Sequence, residues 1–184
     1  MRVAIRGKPA HVGLHFRGVN AFKGMLSVAS MFSALEAEVS ERKTRFNVTP
    51  AGARRSVLLL GGEMSGGHNF NVVPDHVTFT LDRRTNPEED FERERERLHE
   101  VIEQARGQGI DCDAELLQEG RSASTPASGA VGRALATSVR GVTHGRARFE
   151  LCPGVLETRH YAALGIPALA YGPERLDFIC LWNG

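Results

Sequence analysis

The first 118 residues contain segments with the hydrophobic period of a β-strand and segments with that of an α-helix. The order of these segments along the chain is what most constrains the fold. Residues 2–6 and 77–82 each alternate apolar with polar side chains, which is typical of strands that bury one face. Shorter extended stretches at 56–60 and 111–118 complete a set of four predicted strands. Each of the two longer segments between them repeats its apolar residues at helical spacing instead.

The first predicted helix runs from Asn20, a suitable N-cap, to Arg42. The second runs from Pro87 to Arg106, with proline and several acidic residues in its first turn. Each helix carries one apolar stripe, as a helix packed against a sheet requires. The β-α-β-β-α-β order predicts an α+β fold, a ferredoxin-like sandwich of a four-stranded antiparallel sheet and two helices.

A glycine-rich stretch lies between the second and third predicted strands. We expect the strand at 56–60 to be interrupted by the glycines that follow it, and a second extended piece to cover 69–73. The glycines concerned are Gly61, Gly62, Gly66 and Gly67.

The sequence changes character after residue 119. A stretch at 120–128 rich in Ser, Thr and Pro indicates a linker. Beyond it the patterns predict helices at 130–139 and 157–164, a strand at 146–151 and a buried strand at 166–171. These elements indicate a partial α/β segment that is too small for a core of its own. We therefore divide the chain into 1–119 and 120–184.

Composition excludes several classes of function. A net charge of +1 gives no electrostatic case for binding nucleic acid or an anionic membrane. The longest uncharged helical stretch, 24–35, is too short to span a bilayer, and no basic-then-apolar leader follows Met1. The three cysteines are widely spaced without a CxxC pair, which favours a reducing cytoplasm and argues against a cysteine zinc site.

Two motifs sixty residues apart carry a family resemblance. They are Gly7-Lys8-Pro9-Ala10-His11 with Gly18-Val19-Asn20-Ala21, and Gly66-Gly67-His68-Asn69-Phe70-Asn71-Val72-Val73-Pro74-Asp75 running on to Asp82-Arg83-Arg84. Together they resemble the lid, or dimerisation, domain of the M20 family of zinc hydrolases, which includes acetylornithine deacetylase, succinyl-diaminopimelate desuccinylase, aminoacylase and carboxypeptidase G2. The resemblance covers residues 2–173 and implies hydrolysis of N-acyl amino acids or small peptides by full-length relatives.

The resemblance implies a catalytic role for His11. In the family, a histidine in this turn reaches into the partner subunit's active site and donates a hydrogen bond to the oxyanion formed during amide hydrolysis. A fixed donor about 3 Å from that oxyanion stabilises its charge. Taken without the family, His11 reads as a surface histidine in a tight turn.

The resemblance also implies contacts with the substrate. Asn71 and Arg84 match the lid asparagine and arginine that hold the substrate carboxylate, and Gly66 with Gly67 matches a glycine turn. Strand parity places Arg84 on the open face of the sheet, where a planar guanidinium suits a carboxylate. The alternatives are a turn asparagine, a surface arginine paired with Asp82, and a plain bulge at the glycines.

The region after residue 150 resembles part of the family's catalytic domain. Glu157-Thr158-Arg159, Gly165-Ile166-Pro167 and Tyr171-Gly172-Pro173 follow the pattern Asp-x-Arg, Gly-Ile-Pro and Gly-Pro. Arg159 keeps the pattern and is a candidate substrate contact. Glu157 departs from it, because aspartate is usual there.

The family binds two zinc ions through acidic residues and histidines that, except for one late histidine, precede the lid. This chain begins near the lid's first residue, and its apolar tail at 174–184 does not resemble the family's last helix. We therefore expect no metal ligands in this chain. We expect a homodimer through the strand at 56–60 and the helix at 20–42, and a fragment that is inactive alone. Two alternatives stay open, namely a free-standing interaction module and an enzyme half completed by a separately encoded N-terminal chain.

Overall fold

The computed structural model describes residues 1–154 and 156–172, so the tail at 174–184 lies outside the described residues. One unit of the chain comprises Met1–Arg42, Val57–Thr85 and Glu89–Glu119. Its elements, in chain order, are β1 (Arg2–Arg6), α1 (Ala21–Ser40), β2 (Val57–Gly66), β3 (His76–Arg84), α2 (Phe91–Gly107) and β4 (Cys112–Glu115).

These four strands form one antiparallel sheet in the order β2-β3-β1-β4. With α1 and α2 as the crossover helices, this is the ferredoxin-like arrangement, and the predicted fold class is confirmed. The alternation predicts the buried face correctly, because β1 and β3 direct every second side chain into the core. The core of this unit includes Val3, Ile5, Val77, Phe79 and Leu81 from the sheet and Val28, Phe32, Val39, Leu98 and Ile102 from the helices.

Strand β2 continues through the glycines that were expected to interrupt it. Leu60 lies opposite Leu81 and Met64 opposite Phe79, so three residues of β2 face a single residue of β3. This bulge accommodates Gly61 at φ +72°, a left-handed conformation that glycine adopts without strain. The second extended piece predicted at 69–73 is wrong, since the chain turns there and makes only one isolated bridge.

Helix α2 begins four residues later than Pro87. Asp90 is its N-cap, and the Asp90 carboxylate accepts hydrogen bonds from the backbone N–H groups of Glu92 and Arg93 at 3.0 and 3.2 Å. An aspartate cap satisfies two N–H groups that the helix leaves unpaired, which proline in a first turn does not. The predicted start at Pro87 is therefore wrong.

The other unit comprises Lys43–Ser56, Asn86–Glu88 and residues 120–184. It contains α3 (Ala130–Thr143) and α4 (Thr158–Ala163). Within it, the Glu88 carboxylate accepts hydrogen bonds from the Thr44 hydroxyl and the Arg45 backbone N–H, each at 2.9 Å.

Neither strand predicted after residue 119 forms within the described residues. A strand needs a neighbouring strand for its backbone groups, but Ala168 donates to and accepts from the Thr125 hydroxyl instead, at 3.1 and 2.7 Å. Ile166 and Tyr171 are exposed, so the stretch at 166–171 is not buried. Between 146 and 151, the Leu151 N–H bonds to the Asn47 carbonyl at 2.8 Å.

No helix in the described part of the chain has the length and hydropathy needed to cross a membrane.

Candidate substrate-contact site

His11 lies just after β1, at the start of a 3₁₀ segment formed by Val12–Arg17. Its Nδ1 accepts a hydrogen bond from the Gly13 backbone N–H at 3.2 Å and so caps this segment. A neutral imidazole that accepts at Nδ1 carries its proton on Nε2. The exposed ring of His11 therefore keeps one N–H donor for a ligand.

Asn71 lies in a tight turn that packs alongside the His11 segment. The Val72 N–H donates to the Asn69 carbonyl at 3.3 Å, so the chain reverses over Phe70 and Asn71. The Asn71 carbonyl accepts the Val12 N–H at 2.8 Å, and His11 bridges Val72. The fold thus brings His11 and Asn71 together at one end of the sheet.

Gly66 and Gly67 lie at the same end, where β2 leaves the sheet. Gly66 has φ +148°, and a Cβ atom there would stand 2.6 Å from the His76 carbonyl oxygen. Gly67 has φ +73° with open space around it. Gly66 is therefore required for close backbone approach, whereas Gly67 is required only for its left-handed conformation.

His68 was expected to be a surface residue without a role, but in the structure it lies close to Asp75. The Nε2 of His68 lies 3.3 Å from Oδ1 of Asp75. That oxygen is buried and has no hydrogen bond among the described residues. The Asp75 carbonyl accepts the Gly7 N–H at 2.7 Å, so Asp75 connects the turn with the end of β1. The signal in the sequence was the aspartate that closes Asn-Val-Val-Pro-Asp.

Arg84 lies at the opposite end of β3. Its Nε donates to Oδ2 of Asp82 at 2.9 Å, and both side chains are about half exposed on the open face. His76 and Arg84 are eight residues apart in β3, which separates the two ends of the strand by about 26 Å. Within one chain, the structure does not bring Arg84 to His11 and Asn71.

Arg159 belongs to α4 in the other unit and is partly buried. Its guanidinium lies beside Gly120, where an added Cβ would meet it at 3.6 Å.

The described residues do not fit a metal centre. No group of three or more His, Cys, Asp or Glu side chains within 1–154 and 156–172 is arranged to hold a metal ion. The chemistry that the described site offers is hydrogen bonding, from the imidazole of His11 and the amide of Asn71.

Comparison with curated proteins finds relatives along most of the chain. Aminoacylase-1 of Sus scrofa is 28% identical over 174 residues, which is 94% of this chain and 41% of that protein. N-acetyl-L-cysteine deacetylase of Bacillus subtilis is 32% identical over 103 residues, which is 56% of this chain and 22% of that protein. The chain spans about two fifths of the length of aminoacylase-1.

Solved structures share the fold at low sequence identity. A tripeptidase of Staphylococcus aureus aligns with a TM-score of 0.66 and 19% identity over 90% of this chain and 40% of its own. An M20 family metallo-carboxypeptidase of Sulfolobus solfataricus aligns with a TM-score of 0.64 and 14% identity over 90% of this chain and 48% of its own.

The family model described as "Peptidase dimerisation domain" matches residues 1–109, which is more than half of the chain. That stretch holds three of the four strands (β1, β2 and β3), both crossover helices, and the His11 and Asn71 segments. The resemblance to the M20 lid is confirmed, and the chain belongs to the peptidase dimerisation domain family.

Proposed function

We propose that this chain is the lid of an M20-type metal-dependent amidohydrolase, where it forms a homodimer and contributes contacts to the substrate. The pairing of the His11 and Asn71 segments through the Val12–Asn71 hydrogen bond carries this proposal. It joins the backbone segments that carry the His11 imidazole and the Asn71 amide, which in this proposal donate to an oxyanion and to a carboxylate. Preorganised donors of this kind stabilise charge as it develops in a reaction.

The two ends of β3 serve different protomers in this proposal. A single substrate molecule is far shorter than β3, which is roughly 26 Å long. It therefore cannot contact Arg84 and His11 of the same chain. In a dimer, the substrate can contact His11 and Asn71 of one protomer and Arg84 of the other. Arg84 then holds a carboxylate through its planar guanidinium.

The proposed dimer uses the β2 edge and α1. Strand β2 is one of the two edge strands of the described sheet, and an edge strand is a template for pairing with another chain. Leu59 on β2 and Leu26 on α1 are each 52% exposed, although both are large apolar residues. These residues fall within the predicted contact at 56–60 and 20–42.

The substrate class and the metal belong to the proposal as well. N-acyl amino acids or small peptides are the substrates that the family resemblance implies. Zinc would be held by residues outside the described part of this chain. An N-terminal catalytic half could come from the same polypeptide or from a separately encoded chain.

The test is a ligand titration of the purified chain, followed through the amide resonances of Asn71 and Gly67 by NMR. N-acetylglycine is expected to shift both, and His11→Ala and Asn71→Ala are expected to weaken binding at least fivefold. His99→Ala, an exposed histidine of α2, is the matched control and should bind as the parent does. Unchanged resonances at 50 mM ligand would contradict the proposal and favour an interaction module.

A parallel measurement of zinc content and N-acetyl amino acid hydrolysis tests the metal. The proposal predicts no stoichiometric zinc and no turnover by this chain alone. Stoichiometric zinc with turnover would show that the chain forms a metal site, and would overturn the assignment of the metal to residues outside those described.

A further inference from the structure

Phe70 is the most exposed large apolar side chain among the described residues. It is 99% exposed and directly precedes Asn71 in the turn beside His11. Single exposed apolar residues are common and need no explanation. Phe70 differs because Val12, the residue whose N–H bonds to the Asn71 carbonyl, is also an exposed apolar residue, at 55%.

The backbone of the turn that carries Phe70 is held at both ends. The 3.3 Å hydrogen bond from Val72 to Asn69 closes the turn across Phe70. On the N-terminal side, the 3.3 Å contact between His68 and Asp75 holds the chain against the end of β1. The turn therefore holds the backbone of Phe70 next to that of Asn71 and close to the His11 segment, with the ring exposed.

These residues have the composition of a small-molecule site. Ligand sites are lined mainly by apolar and aromatic side chains, with a few placed polar groups that orient the ligand. We propose that Phe70, with Val12, forms an apolar wall of the substrate site and selects N-acyl amino acids that carry an apolar group. This inference rests on the function proposed above and adds the substrate class.

The apolar group has two possible sources in such a substrate, namely the amino acid side chain and the acyl chain. Three ligands separate them. N-acetylglycine is the reference, N-acetyl-L-leucine adds only a side chain, and N-hexanoylglycine adds only acyl carbons. Each buried methylene group strengthens binding by about 0.8 kcal/mol when fully removed from water. Partial burial of four carbons should therefore give about a tenfold preference.

The experiment titrates the 184-residue chain with the three ligands and follows the amide resonances of Val12 and Asn71. We expect about tenfold tighter binding of at least one apolar ligand than of N-acetylglycine, and the tighter one identifies the source. Phe70→Ala should remove this preference, so that the three ligands bind this variant with similar affinity. Phe70→Leu should retain most of it.

Val142→Ala is the control, because Val142 is an apolar residue of α3 that is 82% exposed. It should keep the full preference. A preference that survives Phe70→Ala would overturn the inference. So would Phe70 resonances that respond to protein concentration and not to ligand, since a second copy of the chain would then cover the ring.

The result also separates this inference from the function on which it rests. One outcome is that N-acetylglycine binds, that His11→Ala weakens this binding, and that neither apolar ligand binds more tightly. This outcome refutes only the proposed role of Phe70 in selecting substrates. If no ligand shifts Asn71, the proposed function fails and this inference fails with it.

Discussion

The backbone N–H of Val12 donates a hydrogen bond to the carbonyl of Asn71 at 2.8 Å. This contact joins two segments that are sixty residues apart and sets His11 beside Asn71. Because backbone groups make this contact, the Asn71 amide and the Nε2 of His11 stay available for a ligand, while Nδ1 of His11 accepts from Gly13. Substitution of either side chain should therefore affect binding more than folding.

Gly66 should tolerate a side chain much less well than its neighbour Gly67. Gly66→Ala places a Cβ atom 2.6 Å from the His76 carbonyl oxygen at φ +148°, and we expect a loss of about 3 kcal/mol in the free energy of unfolding. Gly67→Ala meets open space at φ +73° and should lose only about 1 kcal/mol. Urea unfolding measures both, and equal losses would contradict the close approach at Gly66.

Arg83 and Arg84 are adjacent in β3 but should differ in their contribution to stability. The Arg83 side chain is 6% exposed and donates to Glu89 and Glu94, both at 2.7 Å. Arg83→Ala should cost about 3 kcal/mol, because it leaves buried carboxylates with fewer partners. Arg84→Ala removes a half-exposed pair with Asp82 and should cost less than about 1 kcal/mol. Similar losses for both variants in urea unfolding would refute this difference.

Acid should weaken the fold partly through Glu94. Burial alone would raise the pKa of this carboxyl, but hydrogen bonds from Arg42 and Arg83 outweigh it and hold the pKa below its usual value of 4.5. A lowered pKa in the folded state stabilises the protein above the unfolded value, and this contribution is lost as pH falls through the folded value. We expect the free energy of unfolding to fall below about pH 4.5.

The variant Glu94→Gln isolates this contribution when unfolding is measured from pH 7 to pH 3. It should be less stable than the parent at pH 7 and should show a shallower decline in acid. Glu103→Gln, in the same helix, is the control and should decline as the parent does. A parental slope in Glu94→Gln would exclude Glu94 as a source of the acid sensitivity.

The sequence predicted those features that depend on periodicity. Strand parity identifies Val77, Phe79 and Leu81 as core residues and Arg84 as a residue of the open face, because successive side chains of a strand alternate. Helical spacing predicts the buried face of α1 less well, because Phe32 and Leu35 are buried whereas Phe22 and Leu26, at the same spacing, are about half exposed. These patterns determine the order of elements and therefore the fold.

Features that depend on partners distant in the sequence were not predictable. Local patterns mark Gly61 as a break, but the β3 ladder carries β2 past it through a bulge. The strand expected at 166–171 needed a neighbouring strand, and Thr125 meets its backbone instead. The contact of His68 with Asp75 follows from the turn between them, which spacing alone does not reveal.

The proposed dimer should be sensitive to charge on the exposed face of α1. Leu26→Glu places a carboxylate at a position that is 52% exposed in one chain and buried in the proposed interface. A buried charge without a partner is costly, so this variant should shift the equilibrium to monomer. Val142→Glu, at an exposed position of α3, is the control and should leave the mass unchanged. Equal masses for both variants and the parent would place the interface elsewhere.

Sedimentation equilibrium of the unmodified chain at tens of micromolar is the most direct test that this domain dimerises. The chain has a mass of 20.1 kDa, and we expect a species of twice that mass. A mass of 20.1 kDa throughout the concentration range would contradict the dimer, and with it the assignment of His11 and Arg84 to one substrate through two protomers.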